Sequence, residues 1–252
     1  MFDLFLQETT KKQMQIFYEP EILKNGAFLN EEEAKHCVKV LRHKAGDKIS
    51  VIDGKGSRFL CEISEANPKS CGLTILETEK EPPSESKCHI AIAPTKSIDR
   101  FEWFLEKSTE IGIDKITPLL CKQSERKRIK LPRLERVLTA ATKQSLRLWK
   151  PEISELTDIK DFLDTEHPEK YKFIAHCEEQ ERKELFLELQ TRDNYEDVLI
   201  LIGPEGDFTP EEINFAISKG FQPVSLGKNR LRTETAGIAA CTSFQLTGSY
   251  YK

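Results

Sequence analysis

The rhythm of apolar and polar positions changes along the chain, and the change divides it. From residue 14 to about residue 80, short runs alternate with turns. Lys48-Ile49-Ser50-Val51-Ile52 has the period of two expected of a half-buried strand, and Asp53-Gly54-Lys55-Gly56 after it is a hairpin signal. Residues 57–64 and 71–79 read as further strands, Gly46-Asp47 as a turn, and residues 31–41 as a helix capped by Asn30. Together they predict a small antiparallel barrel. Glu81-Pro82-Pro83-Ser84-Glu85-Ser86 is polar and proline-bearing, which places a domain boundary there and gives units at 14–83 and 84–252.

Beyond the boundary, strands alternate with helices. Strands are expected at 89–93, 115–120, 152–156, 172–176, 198–202 and 222–226, and helices at 99–111, 131–148, 182–189 and 236–248. Val198-Leu199-Ile200-Leu201-Ile202 has no polar member, as suits a strand covered on both faces. Thr209-Pro210-Glu211-Glu212 starts another helix: Thr209 as cap, Pro210 at its first position, Glu212 as capping-box carboxylate, with Gly220 near its end. Such alternation predicts an α/β fold with a parallel sheet.

Two glycine-punctuated loops follow strands in the last third: Gly203-Pro204-Glu205-Gly206-Asp207-Phe208, and Gly227-Lys228-Asn229-Arg230-Leu231-Arg232-Thr233-Glu234-Thr235-Ala236. The first lacks both the Walker spacing and G-x-G-x-x-G, so it fits neither a triphosphate cradle nor the dinucleotide fingerprint. Alone it has a second reading, as simply a tight strand-to-helix turn. Two such loops at the carboxyl ends of neighbouring parallel strands would frame a ligand crevice.

Composition alters this picture in three places. The 252 residues carry a net charge of only −4, yet residues 122–150 hold ten Lys/Arg against two Asp/Glu, while 152–197 are acidic. That asymmetry suits a basic face for a polyanion, or simply two solvated helical faces. The seven cysteines are dispersed without metal-like spacing, so reduced thiols in a cytosolic protein are expected, and no metal. No window approaches a membrane span, and residues 1–13 read as a leader extension. Trp103 is assigned to the core, and the five histidines to surface or strand-end positions rather than to catalysis.

The two loops, with Leu226-Gly227 and Leu231-Arg232-Thr233-Glu234-Thr235-Ala236, closely resemble the RsmE family of ribosomal RNA methyltransferases. Lys107-Ser108-Thr109-Glu110-Ile111-Gly112, Gln144-Ser145, Val40-Leu41-Arg42, Gly46-Asp47 and Asp53-Gly54-Lys55-Gly56 match as well, so the likeness spans roughly residues 14–250. The resemblance implies a PUA-like RNA-binding β-barrel domain, then a SPOUT-type parallel-sheet domain with a carboxy-terminal trefoil knot. It also implies a homodimer that uses S-adenosyl-L-methionine to methylate N3 of a uridine in 16S rRNA, as naked RNA or in an assembled small ribosomal subunit, in the cytoplasm. A non-catalytic RNA-binding or ribosome-assembly factor of the same fold is the rival. The chain departs from the family's pattern with Asn229 at a usual Arg (Arg230 follows it), with Asp207 at a common Gly, and with no Arg in the first strand.

On that resemblance, the cofactor is expected to be met by Leu201, Ile202, Gly203, Pro204, Glu205, Gly206, Leu226, Gly227 and Leu231, with the Thr235 hydroxyl. Methylating a uridine N3 requires removal of its proton and stabilisation of the developing anion. Arg232 is the candidate for the anion, with phosphate or carboxylate contact as its alternative. Glu205 or Glu234 is the candidate proton acceptor, Glu234 alternatively being a carboxylate favoured at a helix start. RNA is expected at Arg42, His43, Lys55, Arg58, Lys96, Arg126, Arg128 and Arg147.

Overall fold

The computed structural model describes residues 15–178, 181–192 and 195–249. The leader read at 1–13 lies outside them. The chain divides into two compact units, one ending at Pro82 and the other beginning at Pro83.

The first unit contains β1 (Ile16–Tyr18), β2 (Phe28–Leu29), α1 (Glu31–Lys35), β3 (Lys48–Ile52), β4 (Ser57–Glu65) and β5 (Cys71–Lys80). The strands form a near-barrel sheet in the order β1-β3-β4-β5-β2. It is not wholly antiparallel, because β1 runs parallel to β3. The segment between those strands carries α1, and a parallel pair requires such a crossover. Asn30 Oδ1 accepts from Glu33 N at 3.0 Å and starts α1. The α-helical part of the helix expected at 31–41 ends at Lys35, and residues His36–Val40 continue it as one π-helical turn. Phe17, Ile22, Val51 and Phe59 are buried at the centre of this unit. The hairpin at Asp53 is tied by its own carboxylate, whose Oδ1 accepts from Lys55 N and Ser57 N.

The second unit begins with β6 (Cys88–Ile92), α2 (Ile98–Ile111), β7 (Lys115–Leu120), α3 (Leu131–Gln144), β8 (Glu152–Ile153), β9 (Thr157–Asp158) and α4 (Ile159–Asp164). It continues with β10 (Tyr171–Ala175), β11 (Lys183–Glu184), α5 (Leu185–Thr191), β12 (Val198–Ile202), α6 (Pro210–Ser218), β13 (Gln222–Ser225) and α7 (Thr233–Ser249). The sheet order is β11-β13-β10-β12-β6-β7-β8, and its pairings are parallel. β12 sits between β10 and β6. Val198, Ile200 and Ile202 belong to one core with Phe101, Phe104 and Phe244, while Leu199 and Leu201 join Phe208 and Ile213 on the other face. Two covered faces account for a strand without a polar residue.

Several boundaries differ from the sequence expectation. α3 stops at Gln144, and Leu146 takes a left-handed φ of 61°. Of the strand expected at 152–156 only Glu152–Ile153 forms; Thr157–Asp158 is a separate short strand leading into α4, a helix of six residues, too short to show a helical period. Trp103 is 44% exposed, because α2 buries Phe101, Phe104, Leu105 and Ser108, a stripe that passes Trp103 by. His89 is buried, with Nδ1 2.6 Å from Glu169 Oε1 and Nε2 2.8 Å from Thr117 Oγ1. Among the described residues no helix is long and apolar enough to cross a membrane, and no cluster suits a metal.

Candidate functional site

A cavity of about 300 Å³ opens at the carboxyl ends of β10, β12 and β13. Its apolar lining comes from Ile202, Val224, Leu226, Leu231 and Ala236, and its charged edge from Arg182, Glu205, Asp207, Arg230 and Arg232. The two loops singled out in the sequence do leave strands on the same side of the sheet, but those strands are not neighbours. β10 lies between them, and Ala175, His176 and Cys177 at its end supply a third wall.

The β12 loop is held from several directions. Thr233 Oγ1, at the start of α7, donates to Gly203 O at 3.1 Å and so joins the second loop to the first. Asp207 has a φ of 69°; its Oδ2 accepts from Cys177 N at 2.6 Å and its Oδ1 from Phe208 N at 2.8 Å. A Cβ on Gly203 would lie 3.1 Å from both Phe208 N and Phe208 Cδ2, so only glycine fits without displacement. The capping box predicted at Thr209 and Glu212 is present and fixes where the loop becomes α6.

Of the residues expected to meet a cofactor, Ile202, Gly203, Pro204, Glu205, Leu226, Gly227 and Leu231 line this cavity. Leu201 faces the opposite core with Phe208. Gly206 packs against the Gln123 side chain, which a Cβ there would push aside. Thr235 is exposed on α7 and lies outside the cavity lining; the hydroxyl residues that line it are Ser225 and Thr233. Glu205 Oε1 accepts from Lys96 N at 2.8 Å, and Oε2 is buried without a protein partner. Glu234 is also buried, but away from the lining, with Oε1 3.9 Å from Arg100 Nε. Arg232 lines the cavity and is exposed, and its carbonyl accepts from Ala236 N to open α7.

Sequence reading missed Ala175, His176, Cys177, Arg182 and Thr233. The one available signal was the polar His-Cys step ending an apolar strand, which has no meaning until the strand order is known. His176 is only 4% exposed, both ring nitrogens lack partners, and its carbonyl accepts from Arg182 Nη1. Burial and the Arg182 charge push its pKa below the ordinary 6.5.

The expected RNA-binding cations fall into two sets. Arg42, with a φ of 61°, and Arg128 are exposed. The others have commitments within the fold. His43 Nδ1 lies 3.1 Å from Asp47 Oδ2, Lys55 Nζ donates to Pro20 O and Glu21, and Arg58 lies 3.5 Å from Glu79. Lys96 pairs with Glu125 at 2.7 Å, and Arg126 donates to the carbonyls of Thr95 and Lys96. Arg147 donates to Thr109 O and Ile113 O at the end of α2, where a cation complements the helix dipole. Arg126 and Arg147 therefore act first as clamps on the fold.

The cavity suits an adenosine-bearing sulfonium. Its volume lies at the lower end of small-molecule sites, about 300–1,000 Å³. Its apolar walls can cover a purine, its glycine loop brings backbone close, and Glu205 offers a carboxylate oxygen that no protein group occupies.

Comparison with known proteins gives the same assignment. The RNA methyltransferase domain family matches residues 82–245, and the RNA methyltransferase PUA domain family matches residues 29–76. Ribosomal RNA small subunit methyltransferase E of Rickettsia conorii is 32% identical, covering 85% of this chain and 87% of its own. A probable rRNA-methyltransferase from Porphyromonas gingivalis, a solved structure, is 40% identical with a TM-score of 0.86, covering 95% of this chain and 100% of its own. Ribosomal RNA small subunit methyltransferase E from Neisseria gonorrhoeae, solved bound to S-adenosyl methionine, is 28% identical with a TM-score of 0.80, covering 92% and 97%. The fold, the cavity and these matches agree: the chain belongs to the ribosomal RNA small subunit methyltransferase E family of RNA methyltransferases.

Proposed function

We propose that the cavity binds S-adenosylmethionine and that the protein methylates N3 of a uridine in 16S rRNA. The observation that carries this reading is the convergence of the two loops and the end of β10 on one apolar cavity with Glu205 and Arg232 at its edge. Bound there, the cofactor supplies a methyl group already activated by its sulfonium. The protein must exclude water, align the uracil ring and manage one proton. Ile202, Val224, Leu226 and Leu231 do the first. Glu205 takes the N3 proton through Oε2, because Oε1 is held by Lys96 N; Glu234, turned toward Arg100 outside the lining, is the weaker candidate. Arg232 stabilises the negative charge that spreads onto the uracil carbonyl oxygens as the proton leaves.

The same reading extends to partners. Arg42 and Arg128, both exposed, carry phosphate contacts to naked rRNA or to the small subunit. The target base leaves its stack to reach the methyl. The carboxy-terminal backbone threads a trefoil knot, and the enzyme works as a homodimer in the cytoplasm; exposed Trp103 on α2 and Leu246 on α7, helices that pack on one another, are apolar surface that a second copy would cover. Two measurements test the proposal. Titration calorimetry should detect a cofactor site of micromolar order, and loss of the protein from its host should erase 3-methyluridine from 16S rRNA as read by mass spectrometry. A protein giving no heat with the cofactor would be an RNA-binding factor instead.

A further inference from the structure

We infer that His176 is a positioning residue of the cofactor cavity, its imidazole hydrogen-bonding a hydroxyl or ring nitrogen of the bound nucleoside rather than a carboxylate. The inference rests on the cofactor assignment above. His176 stands at the end of β10, between the two glycine loops, where a parallel sheet presents its ligand site. Its backbone is fixed on both sides, by Arg182 at its own carbonyl and by Asp207 at the next amide. The ring is buried with neither nitrogen bonded to protein, a costly arrangement that an apolar side chain would avoid. His176 itself lines the cavity, and the χ2 torsion of an imidazole is broad.

The charge state selects the ligand group. The charged groups around the ring are Arg182, which disfavours protonation, and Asp207 and Glu178, which favour it; Glu205, Arg230 and Arg232 share the same lining. Burial adds to the Arg182 effect, so the ring is neutral at pH 7 and offers one donor and one acceptor. A ribose hydroxyl or an adenine edge can engage both the donor and the acceptor, whereas a carboxylate, which only accepts, would engage the donor alone. A neutral ring also spares a cationic sulfonium a like charge in the wall of its own site.

The test compares S-adenosylmethionine with its neutral thioether product, S-adenosylhomocysteine, by calorimetry on the full-length protein. His176→Leu should weaken product binding about tenfold, the order of one hydrogen bond, and His176→Asn should recover part of it. For the wild type, lowering the pH from 7 to 5 should weaken binding of the sulfonium more than that of the thioether, and His176→Leu should remove that difference. NMR of imidazole nitrogens in the wild type, which needs no variant, should show the His176 signals moving when the thioether is added. Unmoved signals would overturn the inference, as would unchanged affinity in His176→Leu. Tighter binding at low pH would reveal a carboxylate contact and overturn it too. In each of those cases the wild type still binds and the cofactor assignment stands; a wild type that binds neither ligand removes both.

Discussion

Asp207 Oδ2 accepts a hydrogen bond from Cys177 N at 2.6 Å, joining the loop after β12 to the end of β10 across the cavity. Asp207 has a φ of 69°, a conformation that glycine adopts without strain and that Asp and Asn tolerate better than most residues. The aspartate thus accepts some backbone strain and gains a bridge that glycine lacks. Asp207→Gly should relieve the strain but release Cys177, whereas Asp207→Ala loses on both counts. A hydrogen bond to a charged acceptor contributes about 1.5–3 kcal/mol, so both variants should melt lower, alanine lowest, with asparagine nearest the wild type. Differential scanning calorimetry gives the ranking; alanine matching the wild type would remove the bridge from the stability of this loop.

Gly203 leaves no room for a side chain. Gly203→Val should abolish S-adenosylmethionine binding, since any Cβ there meets Phe208 N and its ring at 3.1 Å and must shift the loop. RNA affinity should be largely kept. Parallel loss of both would mean that the loop serves the fold rather than the ligand.

Gly237 lets α7 pass close to β6 and α2. A Cβ would stand 2.5 Å from Phe104 Cε2 and 3.0 Å from Ile92 Cδ1, and both side chains are fully buried. Gly237→Ala should therefore destabilise by about 1–3 kcal/mol through overpacking, despite the better helix propensity of alanine. A urea midpoint at or above that of the wild type would contradict this close approach.

Burial holds His89 neutral, its pKa below the ordinary 6.5 despite the Glu169 carboxylate beside it. The unfolded chain takes up a proton as pH falls through about 6.5, while the folded state resists until its own lower pKa. Stability should therefore be full above pH 7 and decline as the solution is acidified below about 6.5, with His176 adding in the same direction. Urea midpoints across pH 5 to 8 give the trend, and His89→Gln should flatten it. A midpoint that rises on acidification would mean that His89 is charged in the fold.

Arg42→Ala should weaken RNA binding and reduce the slope of log K against log salt by about 1, as for one lost phosphate contact. Arg147→Ala should instead lower the melting temperature, because its guanidinium is spent on Thr109 O and Ile113 O. An Arg42→Ala protein with the wild-type slope would remove that residue from the interface.

Local chemistry made part of this protein legible from its residues alone. The buried strand Val198–Ile202, the Thr209–Glu212 capping box and the two glycine loops follow from apolar runs, cap chemistry and tight turns, each read within a few neighbouring residues. What the sequence could not supply was the order of strands in the sheet. That order depends on pairings between segments far apart in the chain, and it put β10 between the two loops. Only then did His176, Cys177 and Arg182 become cavity residues, and only packing showed that Arg147 clamps a helix end while Glu234 turns away from the cavity. Cap and turn signals act over a few bonds, whereas a cavity is enclosed by residues that meet only when the sheet has assembled.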